Sequence, residues 1–160
     1  MAQSVENFIR KTGIVAGAFN FVLNPLFAWL TNRAMNDVPL AEVAVDTVIT
    51  CIIMSLLVSL FISAETRRTI TAGGLESAGQ TPPPGCLLRR LPARPWKLGL
   101  ILGGGAALVI MPWLVGLFSL FSVTSFAFFA FALLKAVYTP LAAYAVARWV
   151  ILRQLAAESA

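Results

Sequence analysis

The 160-residue chain contains no histidine, only two cysteines and few charges: 12% of its residues are Asp, Glu, Lys or Arg, against about a quarter in an ordinary soluble domain. Each shortage excludes something. Without an imidazole there is no bis-histidine haem, no His-ligated zinc and no His-based catalytic triad. The thiols, Cys51 in an apolar run and Cys86 in a polar segment, fall in different layers of a membrane protein, whereas a redox pair needs sulfurs within bonding reach. Both read as unpaired, Cys51 as a small apolar side chain. Hydrolysis needs an activated nucleophile or a positioned acid–base pair, and Asp46 stands alone among acids inside the apolar runs. The expectation is a protein that is not an enzyme and carries no cofactor or metal.

What is abundant is apolar. Hydrophobic residues make up 59% of the chain, and they gather in four stretches, about 12–31, 42–63, 97–121 and 125–149. A bilayer core is crossed by a helix of about 20 apolar residues, so the sequence predicts an all-α integral membrane protein with four transmembrane helices in two hairpins. The first hairpin takes residues 1–63, a flexible basic loop takes 64–96, and the second hairpin with a short tail takes 97–160. The first apolar run follows Arg10 and Lys11 as in a signal peptide. It is longer than a usual h-region, is interrupted by Asn20, Asn24 and Pro25, and lacks a small-residue cleavage site, so it reads as a retained helix.

Positive charge sorts between the two sides. Arg10 and Lys11 precede the first helix; Arg67, Arg68, Arg89, Arg90, Arg94 and Lys97 fill the long loop; Arg148 and Arg153 end the fourth. The first short connection has only Arg33, offset by Asp37 and Glu42, and the second, around Ser122–Ser125, has no charge. The positive-inside rule then places both termini and the long loop in the cytoplasm, with a bacterial inner membrane as the expected location. Thr71–Gly85, with Pro82-Pro83-Pro84, reads as flexible or extended. Beyond it Arg89, Arg90, Arg94, Trp96 and Lys97 form a stretch suited to contact with anionic lipid headgroups. The cations lack the interleaved stacking aromatics of a nucleic-acid surface, so no nucleic-acid partner is expected.

The first and third helices share a layout. Gly13-x-x-x-Gly17 precedes Pro25, and Gly99-x-x-x-Gly103 with Gly104 precedes Pro112. A repeat of two-helix units would relate the hairpins as parallel copies about an axis along the membrane normal. Glycines four apart allow close backbone approach, which makes helices one and three candidates for the central contact. Pro25, Pro112 and Pro140 leave the carbonyls of Phe21, Leu108 and Ala136 without their helical donors, either for local satisfaction or for a hinge or ion contact.

Few polar side chains lie inside the spans: Asn20 and Asn24, then Asp46, Thr47 and Thr50, then Lys135, Tyr138 and Thr139. Gly13, Gly17, Asn20 and Asn24 share one helical stripe, Asp46 shares a face with Thr50, and Lys135 with Thr139. From the 1.5 Å rise per residue, Asp46 lies roughly 7 Å from the outer end and Asn24 about 10 Å. Lys135, Thr50 and Asn20 lie about 14–17 Å in, so all share one band. An unpaired Lys or Asp at a helix centre costs about 2.5–3.5 kcal/mol, which predicts an Asp46–Lys135 contact with Asn20 and Asn24 nearby. That pair either fixes helix orientation or lines a polar cavity. On the second view Asn20, Asn24, Asp46, Thr50, Lys135, Tyr138 and Thr139 bind a small solute or ion, as in a permease-like transporter. Four helices leave little room for a pathway, so a homodimer is expected. Small multidrug transporters have a similar span count, but here Asn20 and Asn24 stand where an acid would be midway along helix one. The alternative is a non-catalytic membrane subunit packed on a larger complex through the Phe-rich fourth helix (Phe126, Phe128, Phe129, Phe131).

Overall fold

A computed structural model of the chain describes residues 3–32, 36–76 and 87–158, without the side chains of Asn32, Glu76, Leu87, Arg89 and Glu158. Cys86, Arg33 and most of the Thr71–Gly85 segment lie outside these residues. The helices are α1 (Val5–Asn32), α2 (Leu40–Thr71), the short α3 (Leu87–Arg90), α4 (Pro95–Leu120) and α5 (Phe128–Glu158). Four of them are long and apolar enough to cross a membrane, as an integral membrane protein requires. They overrun the apolar stretches that announce them. α2 continues past Ser63 through Glu65, Arg67 and Arg68, and α5 past Trp149 to Glu158. Charged residues end an apolar layer without ending a helix, because Glu, Lys and Arg are good helix formers.

Pro25, Pro112 and Pro140 sit within continuous helices. Pro95 opens α4, where the missing N–H has no intrahelical partner to lose. α4 closes with Ser122 in the left-handed region, φ 55°, while the Val123 amide donates to the Phe118 carbonyl at 3.0 Å.

Two short ribbons tie the helix ends. At one end β1 (Gln3–Ser4) pairs in parallel with β3 (Leu75–Glu76). At the other, β2 (Asp37–Pro39) pairs antiparallel with β4 (Ser125–Ala127), with Val38 opposite Phe126. α1 runs from the β1/β3 end to the β2/β4 end and α2 runs back. The start of α4 belongs to the β1/β3 end, because Arg153 of α5 donates to the Leu91 carbonyl at 2.7 Å and Arg67 of α2 reaches the Ala93 carbonyl at 3.5 Å.

Packing does not follow the chain order. α1 lies along α5, α4 lies along α2, and α2 and α5 meet in the middle, whereas α1 barely touches α2 and α4 barely touches α5. The glycines explain the partners. A Cβ at Gly99 would lie 2.8 Å from the Leu56 Cα, and one at Gly103 2.8 Å from the Ile52 Cα. A Cβ at Gly17 would lie 3.2 Å from the Pro140 carbonyl oxygen, and one at Gly13 2.6 Å from the Tyr144 ring. The glycine stripes of the first and third membrane helices therefore do not make the central contact expected from the sequence. Each instead seats a different helix. Cys51, Ser55 and Ser59 give α2 a small-residue stripe of its own, against which the α4 glycines fit closely.

Two buried clusters fill the interior. One, toward the β1/β3 end, includes Phe8, Met54, Leu98, Val150 and Ile151. The other, toward the β2/β4 end, includes Val38, Val43, Leu114, Phe126 and Phe131. Phe19, Phe61, Trp113 and Phe129 point outward and are exposed, the arrangement a hydrocarbon surrounding favours.

Candidate functional site

The polar band of the sequence converges between the two clusters. Lys135 enters from α5 and Asp46 from α2, with Nζ 2.6 Å from Oδ2. The lysine is buried at 2% exposure, while the aspartate is 29% exposed. Thr50, one turn after Asp46, donates to the same oxygen at 3.4 Å. The ammonium also lies 5.4 Å from the centre of the Phe131 ring, one turn before Lys135. A buried ammonium is tolerable only with such partners. Asp46 Oδ1 accepts no hydrogen bond among the described residues.

The two asparagines are oriented by their own helix. Asn20 Nδ2 donates to the Ala16 carbonyl at 2.8 Å, and Asn24 Nδ2 donates to the Asn20 carbonyl and Oδ1 at 3.1 and 3.0 Å. Donation to backbone carbonyls fixes which side-chain atom is nitrogen. Among the described residues the Asn24 Oδ1 is consequently an acceptor without a donor. The Thr139 hydroxyl lies near two carbonyls, that of Lys135 at 2.7 Å and that of Asn20 at 3.3 Å, and so links α5 to α1.

Because α1 and α2 barely touch, a crevice opens sideways between them. Toward the β2/β4 end it forms a cavity of about 260 Å³ whose polar lining is Asn20, Asn24, Thr31, Asp46, Thr50 and Lys135. Below that it continues as an apolar stretch of about 330 Å³ past Val15, Phe19, Val58 and Phe61. The two parts share Asn20, Leu23, Met54 and Leu57. A separate crevice of about 390 Å³ between α4 and α5 is lined by Val109, Ile110, Trp113, Leu117, Leu134 and Tyr138 among others.

Five of the seven residues singled out by the sequence, Asn20, Asn24, Asp46, Thr50 and Lys135, therefore line one cavity. Tyr138 lines the other crevice, its buried hydroxyl beside Thr47 and Thr50 without an aligned hydrogen bond. Thr139 is fully buried and joins helices rather than lining the cavity. Sequence reasoning missed Thr31, which stands two turns beyond Asn24 on the same stripe. It also missed a network at the β1/β3 end, where Arg67 Nε donates to Gln154 Oε1 at 3.1 Å and Gln154 Nε2 to Ser63 Oγ at 3.0 Å. Gln154 beside Arg153 reads in sequence as ordinary headgroup-layer flank. Of the lipid-facing stretch, Arg90, Arg94, Trp96 and Lys97 are exposed. Lys97 Nζ lies 5.3 Å from the centre of the Trp96 ring, and the Arg89 side chain is outside the description.

Comparison with protein-family models, with curated proteins and with solved structures finds no match.

Proposed function

We propose that the chain is a small permease-like transport protein of a bacterial cytoplasmic membrane, which binds a small solute at Asp46, Asn24 and Thr50 in the α1/α2 cavity. The observation that carries this reading is the free hydrogen-bonding capacity of that cavity. Asp46 is partly exposed beside a buried counter-ion, and the acceptors Asp46 Oδ1 and Asn24 Oδ1 have no donor among the described residues. A pair that only fixed helix orientation would be sealed on both partners. The site is complete within one chain, so the expected homodimer is not required to build it.

In the proposed topology both termini face the cytoplasm. Arg10, Lys11, Arg67, Arg68, Arg90, Arg94, Lys97, Arg148 and Arg153 all belong to the β1/β3 half, whereas Asp37 and Glu42 flank the other end. The exposed Arg90, Arg94, Trp96 and Lys97 then meet anionic headgroups of the inner leaflet.

The two hairpins are further proposed to be parallel copies related by a two-fold axis along the membrane normal. In the β2·β4 pairing Asp37 lies opposite Ala127 and Pro39 opposite Ser125, symmetric about Val38 and Phe126. In that register Ile52 corresponds to Pro140 and Leu56 to Tyr144, which are the residues that Gly103, Gly17, Gly99 and Gly13 meet. The crevices correspond too: Leu23, Asn24, Phe27, Thr31, Asp46 and Thr50 take the places of Val109, Ile110, Trp113, Leu117, Leu134 and Tyr138. One copy is polar and the other is nearly all apolar. A duplicated crevice with chemistry in only one copy supports a binding role for the polar one.

The test is solute counterflow in proteoliposomes across a panel of small polar solutes. At least one should exchange with the wild-type protein and fail to exchange with Asp46→Asn or Lys135→Met forms that keep their fold. A sealed vesicle with every solute excluded, and a second membrane protein co-purifying in equal amount, would point to a subunit of a larger complex instead.

A further inference from the structure

The α1/α2 crevice is longer than a small polar solute needs. From Asp46 the lining continues along α2 through Thr50, Met54, Leu57 and Phe61 to Glu65, roughly 28 Å by helical rise. The part near the β2/β4 end is polar, and Thr12 and Glu65 mark the opposite end. The stretch between them is apolar and opens sideways, with Phe19, Leu57 and Phe61 on its exposed rim. A head held about 9 Å below the start of α2, with a tail running toward the membrane midplane, is the orientation of a lipid in the leaflet at the β2/β4 end.

The polar end also dictates what kind of head fits. Among the described residues its open positions include two acceptors, Asp46 Oδ1 and Asn24 Oδ1, which a donating group on the ligand would satisfy. A cationic head would sit beside the Lys135 ammonium, which already neutralises Asp46 at 2.6 Å. An anionic head would face the carboxylate. An uncharged hydroxyl suits both, since it donates to those acceptors and can accept from the ammonium. We infer that the α1/α2 crevice takes up, directly from the bilayer, a single-chain amphiphile with an uncharged hydroxyl-bearing head, the head at Asp46 and Asn24 and the chain along Leu57 and Phe61. This rests on the binding role proposed above for Asp46 and Asn24 and adds to it the class of ligand and the side from which it enters.

The apolar α4/α5 crevice is a control within the same molecule, because it opens at the place equivalent to the polar end with Ile110 for Asn24 and Leu134 for Asp46. The full chain in phosphatidylcholine nanodiscs is irradiated with a monoacylglycerol carrying a mid-chain diazirine, or with the same chain lacking its head, and labelled residues are mapped by mass spectrometry. The monoacylglycerol should label Phe19, Leu57 and Phe61 at least about fivefold more than Trp113 and Leu117, the value of roughly one net hydrogen bond. The headless chain should show no such preference. Asn24→Leu should remove the preference, and Leu57→Trp should block labelling of the crevice. Equal labelling of both crevices by the monoacylglycerol overturns the inference as annular lipid only. So does better competition by a fatty amine or fatty acid than by monoacylglycerol, and so does cross-linking of a second copy through the α1/α2 face. The wild-type distribution decides the matter even if a variant fails to fold. Solute counterflow that depends on Asp46, found together with equal labelling, would leave the binding role standing and remove only entry from the bilayer.

Discussion

Lys135 and Asp46 are unequal partners, and the inequality has measurable consequences. The ammonium is almost fully buried while the carboxylate is partly open, so losing the carboxylate orphans a charge that cannot reach water. Asp46→Ala should therefore destabilise the protein by about 3 kcal/mol. Lys135→Met leaves a carboxylate that keeps Thr50 and an open face, and should cost only about 1 kcal/mol. Chemical denaturation in mild detergent, followed by far-UV circular dichroism, would order the two variants; the reverse order would mean that the aspartate is the more deeply held group. Gln154 makes the same kind of argument at the opposite end of the helices. It is buried, receives a bond from Arg67 and gives one to Ser63. Gln154→Leu strands the Ser63 hydroxyl and should cost about 1–3 kcal/mol in the same assay.

Helix against helix, the glycines are not interchangeable. A methyl at Gly103 would press on α2 backbone atoms, 2.8 Å from the Ile52 Cα and 2.9 Å from the Cys51 carbonyl oxygen. Backbone cannot step aside, so Gly103→Ala should force α4 away from α2 and cost about 1–3 kcal/mol. At Gly13 the nearest atoms belong to the Tyr144 ring, a side chain that can turn, and the cost should be smaller. Gly104 and Gly105 face open space, where alanine should be neutral or stabilising by up to about 1 kcal/mol. Thermal unfolding of the four alanine variants checks the ranking. The β2·β4 register gives a second check: Asp37→Cys with Ala127→Cys places thiols directly opposite each other. In a background without Cys51 and Cys86 they should form a disulfide under mild oxidation, whereas Asp37→Cys with Thr124→Cys should do so poorly.

For the molecule as a whole, cysteines introduced at Asn36 or Thr124 should react with an impermeant maleimide added outside intact cells, and one at Gly73 only after permeabilisation; the opposite pattern would invert the proposed topology. Much of this architecture was legible from the residues alone. Four apolar stretches announce four helices, and a lysine inside one of them requires an acid, for which Asp46 is the only candidate well inside a span. The arrangement of the helices was not legible, because a glycine stripe states that some backbone comes close without saying which. α1 and α4 each found a different partner through similar stripes. The crevice was hidden for a related reason: it exists where α1 and α2 fail to touch, and no residue encodes an absence of contact. The Gly and Pro layout suggested a repeat, and the proposed residue-by-residue correspondence of the two hairpins takes its register from the β2·β4 pairing.

The proposed binding role requires that the buried ion pair serve the crevice rather than the fold. The most direct measurement compares wild-type protein with Asp46→Leu/Lys135→Met, which replaces both charges by apolar groups of similar size, for unfolding free energy and for crevice labelling by the monoacylglycerol probe. Apolar replacement of a whole buried pair is often neutral or stabilising. The proposed role predicts unfolding within about 1 kcal/mol of wild type and loss of the preference for α1/α2 over α4/α5. A double variant that unfolds readily, or one that labels as wild type does, would contradict it.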